Sequence, residues 1–201
     1  MEIHWNPCPD SSRHLLISIG EEVWKRVDKR LFTPYLYFLK KAKTPNDLQE
    51  IFEKIEKKIA IAESFRILSV RSFFSLEMKQ KLEKKCLSEK AIQEALEKCK
   101  EIGALNDNEQ AARFIESQKR KGRGPYLIAL KLRAKQGKPV AHDLVTQEEQ
   151  IAQIVKLLST RYKKWKDSLQ DKQKAYMALK RRGFSSESIL AAMGNQTDLW
   201  Q

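Results

Sequence analysis

The sequence contains few of the residues that usually build metal, redox or catalytic sites. Among 201 residues there are three cysteines, Cys8, Cys86 and Cys99. Their spacing fits neither a metal site nor a redox motif, and Cys86 and Cys99 fall at apolar helical positions, as expected for small core residues in a reducing compartment. The histidines form no paired ligand motif; they are His4, His14 and His142. We therefore expect no metal ion, no cofactor and no catalytic residue, and we predict that the protein is not an enzyme.

Long apolar runs are also missing. The apolar stretch at residues 15–19 is too short for a signal peptide or a membrane span. Seven glycines and six prolines exclude a collagen-like or low-complexity chain. Residues 122–125 contain two glycines but lack the preceding strand and the Lys-Ser/Thr pair of a phosphate-binding loop. With 41% hydrophobic and 32% charged residues, we expect a helical, cytoplasmic protein without membrane contact.

Positive charge is abundant and unevenly placed. The net charge is +13, and residues 119–182 alone hold 18 Lys and Arg against 5 Asp and Glu. The remainder of the chain is therefore neutral. Charge that only keeps a protein soluble is usually spread evenly, whereas charge concentrated in one segment favours binding to a polyanion or an acidic partner. A merely solubilising surface stays the alternative.

Three similar turns divide the chain into repeats. Each follows a short basic helix and precedes another helix, and the turns are Cys86-Leu87-Ser88, Gly137-Lys138-Pro139 and Gly183-Phe184-Ser185. Spacings of this size are typical of repeat proteins, which stack small units into an elongated body and present a surface rather than a pocket. We predict an all-α fold of three tandem three-helix repeats, over residues 44–105, 106–145 and 146–201.

Each predicted repeat begins with a helix-start pattern. Thr44-Pro45-Asn46-Asp47 offers a capping threonine, a proline at the first helical position and an acid in the first turn. Asp107-Asn-Glu-Gln110 and Thr146-Gln-Glu-Glu149 have the spacing of a capping box. Apolar residues then recur every three or four positions, as in an amphipathic helix. In the second repeat the third helix is predicted to be short, over 139–145.

The first 43 residues have a different composition. Residues 14–19 are strand-like, Gly20-Glu21 favours a turn, and residues 23–27 favour a returning strand. An isolated hairpin is only marginally stable, so it should pack on the helices. We predict a small β-hairpin-like N-terminal extension over residues 1–43.

Basic residues in the second and third repeats are the candidate binding residues. Lysine and arginine contact phosphates without reading sequence, and the candidates are Lys119, Arg120, Lys121, Arg123, Lys131, Arg133, Lys135, Lys163, Lys164, Lys180, Arg181 and Arg182. Aromatic residues that could stack on unpaired bases lie among them: Tyr126, Tyr162, Trp165 and Tyr176. The alternatives are a core role for the aromatics, since Tyr162 and Trp165 continue an apolar helical stripe, and helix-dipole complementation for two or three of the cations.

Several short motifs resemble the RecX family of bacterial recombination regulators. In chain order they are Gly103-Ala-Leu105-Asn-Asp107, Ala112-Arg-Phe114, Lys121-Gly-Arg-Gly124-Pro125, Leu132-Arg-Ala-Lys135-Gln-Gly137 and Leu179-Lys-Arg-Arg-Gly183-Phe184-Ser185. Together they cover roughly residues 55–194. One departure is Lys85-Cys86, where the family usually has Lys-Gly, and Gln136 resembles an insertion before Gly137.

The resemblance implies a fold, partners and a function. It implies a curved array of three-helix repeats that binds the RecA recombinase and its filament on single-stranded DNA. Family members limit filament growth and so damp strand exchange, ATP hydrolysis and the SOS response in DNA repair. For this chain we accordingly expect a monomeric regulator that contacts single-stranded DNA directly or through the filament. The alternative is a DNA-binding transcriptional or nucleoid protein of helix-turn-helix type, because each repeat contains a helix pair joined by a short turn.

Overall fold

The structure of the protein, a computed structural model, describes residues 2–140 and 144–194. The chain divides between Asp107 and Asn108 into two compact units, named here the N-terminal unit and the C-terminal unit. Helices dominate both, and a small antiparallel sheet begins the N-terminal unit, which confirms the predicted fold class. The repeat boundaries at 44, 106 and 146 stay predictions, and His142 lies outside the described residues.

The N-terminal sheet has three strands in the order β1-β2-β3, namely β1 (Ile3–Cys8), β2 (Ser11–Ile19) and β3 (Glu22–Asp28). Both neighbouring pairs are antiparallel. The predicted strands at 14–19 and 23–27 are confirmed, and so is the turn between them, where Gly20 has a φ of 60°. The sheet therefore contains the expected hairpin with one further strand beside it.

The sequence prediction missed strand β1. Its Ile3 and Trp5 alternate with exposed residues and pack against the core, which is the pattern of a half-buried strand. Pro7 lies within it, and proline is unfavourable in the centre of a sheet. Because β1 is an edge strand, the missing N–H of Pro7 is tolerated there.

A short helical segment connects the sheet to the helices that follow. It comprises α1 (Lys29–Phe32), a 3-10 turn (Thr33–Tyr35) and α2 (Leu36–Leu39). The Asp28 carboxylate accepts the Leu31 N–H at 3.2 Å and so caps α1. Phe32, Leu36 and Leu39 are buried, and they fix this segment on the core.

The rest of the N-terminal unit is a bundle of α3 (Pro45–Leu68), α4 (Ser75–Glu83) and α5 (Glu89–Glu101). The predicted start of α3 is confirmed as a capping box, in which Thr44 Oγ1 accepts the Asp47 N–H at 3.1 Å and Asp47 Oδ2 accepts the Thr44 N–H at 3.0 Å. The buried Glu56 carboxylate accepts both the N–H and the hydroxyl of Ser88, at 2.8 and 2.6 Å. This contact ties the start of α5 to the middle of α3.

The C-terminal unit is built from the helices α6 (Asp107–Arg120), α7 (Pro125–Gln136), α8 (Gln147–Thr160), α9 (Leu169–Arg181) and α10 (Ser186–Met193). Its main core lies between the last three, where Ile154, Leu158, Leu179, Phe184 and Ile189 are buried against one another. No helix in residues 2–140 and 144–194 is long and apolar enough to cross a membrane.

One predicted helix is wrong where the structure describes it. Residues 139–140 and 144–145 are not helical, and residues 141–143 lie outside the described residues. Gly137 ends α7 in the left-handed region, and Pro139 lacks the N–H that would continue a helix. Val145 is instead buried, and its carbonyl accepts the Gln150 amide at 3.3 Å.

Candidate nucleic-acid interface

Two glycine turns of the C-terminal unit meet backbone to backbone. Gly124 donates its N–H to the Arg182 carbonyl at 2.8 Å, and Tyr126 donates to the Gly183 carbonyl at 3.1 Å. A Cβ at Gly124 would lie well inside 3.0 Å of the Gly183 backbone, and a Cβ at Gly183 equally close to the backbone of Leu127. We call this the turn–turn contact. Any side chain at either glycine is therefore excluded unless the backbone moves.

Arg182 fastens the turn–turn contact. Its Nη1 donates to the carbonyls of Gly122 and Lys121 at 3.1 and 3.3 Å, and its Nε donates to the Tyr162 hydroxyl at 3.1 Å. These bonds use much of the donor set of a half-buried guanidinium. Arg182, one of the candidate binding residues, therefore positions the surrounding loops.

Lys119, a second candidate, forms internal ion pairs. Its ammonium lies 3.2 Å from Glu149 and 3.4 Å from Glu116, and its side chain is only 16% exposed. Burial alone would lower the pKa of Lys119, but the hydrogen bonds to the two carboxylates outweigh it and raise the pKa. Glu149 also belongs to the confirmed capping box with Thr146. Lys119 thus joins the end of α6 to the start of α8.

A concave surface with strong positive charge lies between the end of α8, the loop after it and α9. Its volume is 710 Å³. We call it the basic groove, and its cationic lining residues are Arg161, Lys163, Lys164, Lys174 and Arg181. One carboxylate, Asp171, also lines it and lies 3.6 Å from Lys174. The ion pair with Lys174 neutralises the single acid of the lining, which leaves four positive charges in the groove.

The Asp171 carboxylate is held in the charged state. Ser168 donates its hydroxyl to Asp171 at 2.7 Å, and this bond, assisted by Lys174, lowers the pKa of Asp171. The same serine caps α9 by accepting the Asp171 N–H at 3.1 Å. The acid is therefore explained by the start of the helix, where it also pairs with Lys174.

Aromatic rings form part of the wall of the basic groove. Tyr162 and Trp165 are half-buried, pack against the core of the C-terminal unit and also line the groove. Lys166 lies 5.2 Å from the centre of the Trp165 ring. One side of Tyr162 and of Trp165 therefore has the core role that the sequence offered as an alternative. Their other side borders the cations, which is the arrangement that single-stranded nucleic acids favour.

Known proteins with similar sequences allow an assignment. The family model described as "RecX, third three-helix domain" matches residues 147–193, which comprise α8, α9 and α10. Regulatory protein RecX of Bacillus subtilis is 32% identical over 167 residues, or 77% of this chain. Regulatory protein RecX of Deinococcus radiodurans is 27% identical over 152 residues, or 72% of each chain. The chain is similar in sequence to regulatory proteins of the RecX family. It spans 62% of the length of the Bacillus subtilis relative.

Solved structures of the RecX family have the same fold. A structure titled "Crystal structure of regulatory protein RecX" has a TM-score of 0.64 and 17% sequence identity, over 97% of this chain and 98% of the other. RecX from Lactobacillus salivarius has a TM-score of 0.61 and 21% identity, over 70% of this chain and 96% of the other. At these identities the likeness supports the fold and not the details of a site.

Most of the RecX-like motif residues lie at helix ends or are buried, and the half-buried Phe114 lies in the middle of α6. Asp107 accepts the Ser75 N–H at 2.8 Å, Pro125 is the first residue of α7, and Phe114 lies 5.8 Å from the Lys135 ammonium. Leu105, Leu132 and Phe184 are buried, and Gly103, Gly137 and Gly183 have positive φ. At Gly124 the close backbone approach requires glycine as well. The motif residues named here therefore have roles in forming the fold.

The structure separates the twelve candidate cations into groups. Lys163, Lys164 and Arg181 line the basic groove. Arg120 and Lys121 line a second concavity of 650 Å³, beside Arg113 and Glu116. The others lie outside both concavities: Lys119, Arg123, Lys131, Arg133, Lys135, Lys180 and Arg182.

Some of these other cations have internal contacts. Arg123 donates to the buried Gln118 side chain, and Lys180 donates to the Ser186 hydroxyl at 2.9 Å. The list of candidate binding residues contained neither Arg161 nor Lys174, and both line the groove. The signal for Arg161 is the acid-free run 161–166, in which basic and aromatic residues are interleaved.

Proposed function

We propose that this chain regulates a RecA-type recombinase by binding its filament on single-stranded DNA, with the basic groove as a contact. The observation that carries the proposal is the groove, in which five cations and two aromatic side chains surround one internally paired acid. Similarity to RecX proteins supports the regulatory role, since the relatives are named regulatory proteins.

The chemistry of the groove fits a single strand better than a duplex. Lysine and arginine neutralise phosphates in either case, but the face of an aromatic ring is useful only where a base is unstacked. The groove lacks a set of Arg, Asn and Gln side chains at the start of one helix, which a duplex-reading protein needs. If the groove holds the DNA strand of one filament state more tightly than that of another, binding of this chain shifts the filament between growth and dissociation.

The test is a charge reversal in the groove. In the variant K163E/K164E/R181E, three exposed cations become acids. We expect the wild-type chain to inhibit recombinase ATP hydrolysis on single-stranded DNA and the variant to lose that inhibition. With four neutralised phosphates, binding of the wild type should weaken about fiftyfold between about 50 and about 200 mM salt, and the variant should have a shallower slope.

The control variant has the same change in net charge on the other unit. K58E/K84E/K100E reverses three exposed lysines of the N-terminal unit, and it should inhibit like the wild type. Equal inhibition by both variants would show that the groove is not the contact. Enrichment of a duplex motif by the wild type in a sequence-selection experiment would instead favour the helix-turn-helix alternative.

A further inference from the structure

Helix α2 carries two neighbouring aromatic side chains on its outer face. Leu36 and Leu39 are buried and hold the helix on the core. Tyr37 is 66% exposed and Phe38 is 48% exposed. At about 100° per residue, Tyr37 and Phe38 lie on the face opposite the buried leucines, and Lys41 lies in the turn that follows the helix. Single exposed apolar side chains are ordinary, but adjacent aromatic rings beside cations on one face are a distinct feature.

Lys41 borders these two rings, and Lys40 lies against a different ring, that of Trp5. The Lys41 ammonium lies 4.9 Å from the centre of the Tyr37 ring and 5.6 Å from that of Phe38. The two rings are 6.0 Å apart with an interplanar angle of 73°. The Lys40 ammonium lies 4.6 Å from the ring of Trp5 in strand β1. We call Tyr37, Phe38, Lys40 and Lys41 the aromatic–lysine patch.

The surrounding sequence contains no acid. From Lys29 to Asn46 there are five Lys and Arg residues and no Asp or Glu. This is unexpected because the rest of the N-terminal unit holds 17 Asp and Glu against 15 Lys and Arg. A patch that bound an apolar protein face would not need an acid-free cationic border, whereas a polyanion with flat apolar groups matches both components.

We propose that the aromatic–lysine patch binds single-stranded nucleic acid by stacking unpaired bases on Tyr37 and Phe38 while the lysines contact phosphates. The patch is formed by residues of the N-terminal unit, none of which lines the basic groove. The proposal therefore goes beyond the function proposed above and can hold or fail independently of it.

The test compares two probes and two variants by fluorescence anisotropy. The probes are an oligothymidylate and an abasic oligodeoxynucleotide of equal length, so that only the bases differ. The variant Y37L/F38L keeps the apolar area and the helix propensity but removes the ring faces. The control F65L removes an aromatic ring of α3 that is 39% exposed. Retained far-ultraviolet circular dichroism verifies that each variant is folded.

We expect the wild type and F65L to bind the base-bearing probe at least about tenfold more tightly than the abasic probe. Y37L/F38L should lose a large part of that preference, the remainder coming from the groove aromatics, while keeping its affinity for the abasic probe. A preference unchanged in Y37L/F38L, or absent from the wild type, overturns the proposal. Loss of recombinase inhibition in Y37L/F38L with unchanged DNA binding would also overturn it, by assigning the patch to a protein surface. Failure of the groove test with a normal base preference would refute only the groove contact.

Discussion

Replacing Gly124 by alanine should loosen the turn–turn contact. Gly124 has φ −81° and ψ 168°, which alanine adopts without strain, so the backbone conformation itself is compatible with the substitution. In open space such a change would stabilise the chain by about 0.4–1 kcal/mol, because it restricts the unfolded state. Any loss of stability is therefore due to the close approach of the Gly183 backbone.

The expected loss follows from the bonds that must stretch. The added methyl group forces apart the hydrogen bonds from Gly124 to Arg182 and from Tyr126 to Gly183, worth about 1 kcal/mol each. The Arg182 bonds to Lys121 and Gly122 depend on the same approach. Together these effects should destabilise the C-terminal unit by about 2–4 kcal/mol.

Hydrogen exchange measured by mass spectrometry provides the assay, with peptides that cover residues 121–128 and 180–190. We expect faster exchange in both segments and a lower urea midpoint. The control is Gly20→Ala, at a φ of 60° with no atom within 4 Å of the new Cβ, which should cost only about 1–2 kcal/mol and leave both segments unchanged. The reasoning is refuted if Gly124→Ala exchanges like the wild type.

Two further outcomes concern the N-terminal unit. Cys86 has a φ of 56°, so Cys86→Gly should stabilise the protein by up to about 1 kcal/mol in urea denaturation, and a lower midpoint would contradict this. Glu63 is 4% exposed and has its pKa lowered to about 2, mainly by the hydrogen bonds from Arg66 and despite burial. Because the folded pKa is depressed, the stabilisation is complete above about pH 4.5 and is lost as the pH falls toward 2. It amounts to at most about 3 kcal/mol, reduced by screening at the 51% exposed Arg66. Glu63→Gln should remove this part of the acid dependence in unfolding curves measured from pH 7 to 2, and an unchanged dependence would refute the assignment.

The helix starts could be predicted from the sequence because capping is local. The capping boxes at Thr44 and Thr146 each use two residues three positions apart, so the necessary chemistry is visible in four letters. The hairpin within the first 43 residues was predictable for the same reason. Strand β1 was not, since its role depends on lying at the edge of a sheet.

The grouping of the basic residues could not be predicted from their number. Lys119 pairs with Glu149, which is 30 positions away, and Arg182 bonds to carbonyls about 60 positions away. Long-range contacts of this kind decide whether a cation is internal or open to a ligand. The sequence predicted a positively charged surface, and only the fold shows which residues line its concave parts.

The turn–turn contact leaves little room for compensation between its two sides. Glycine is the smallest residue, and it already occupies both Gly124 and Gly183, so a methyl group gained on one side cannot be offset by a smaller residue on the other. A second-site suppressor of a substitution here must move an entire helix, either α7 or α9. We expect such suppressors among the residues that pack these helices against their neighbours. A suppressor screen should therefore return changes distant from both turns.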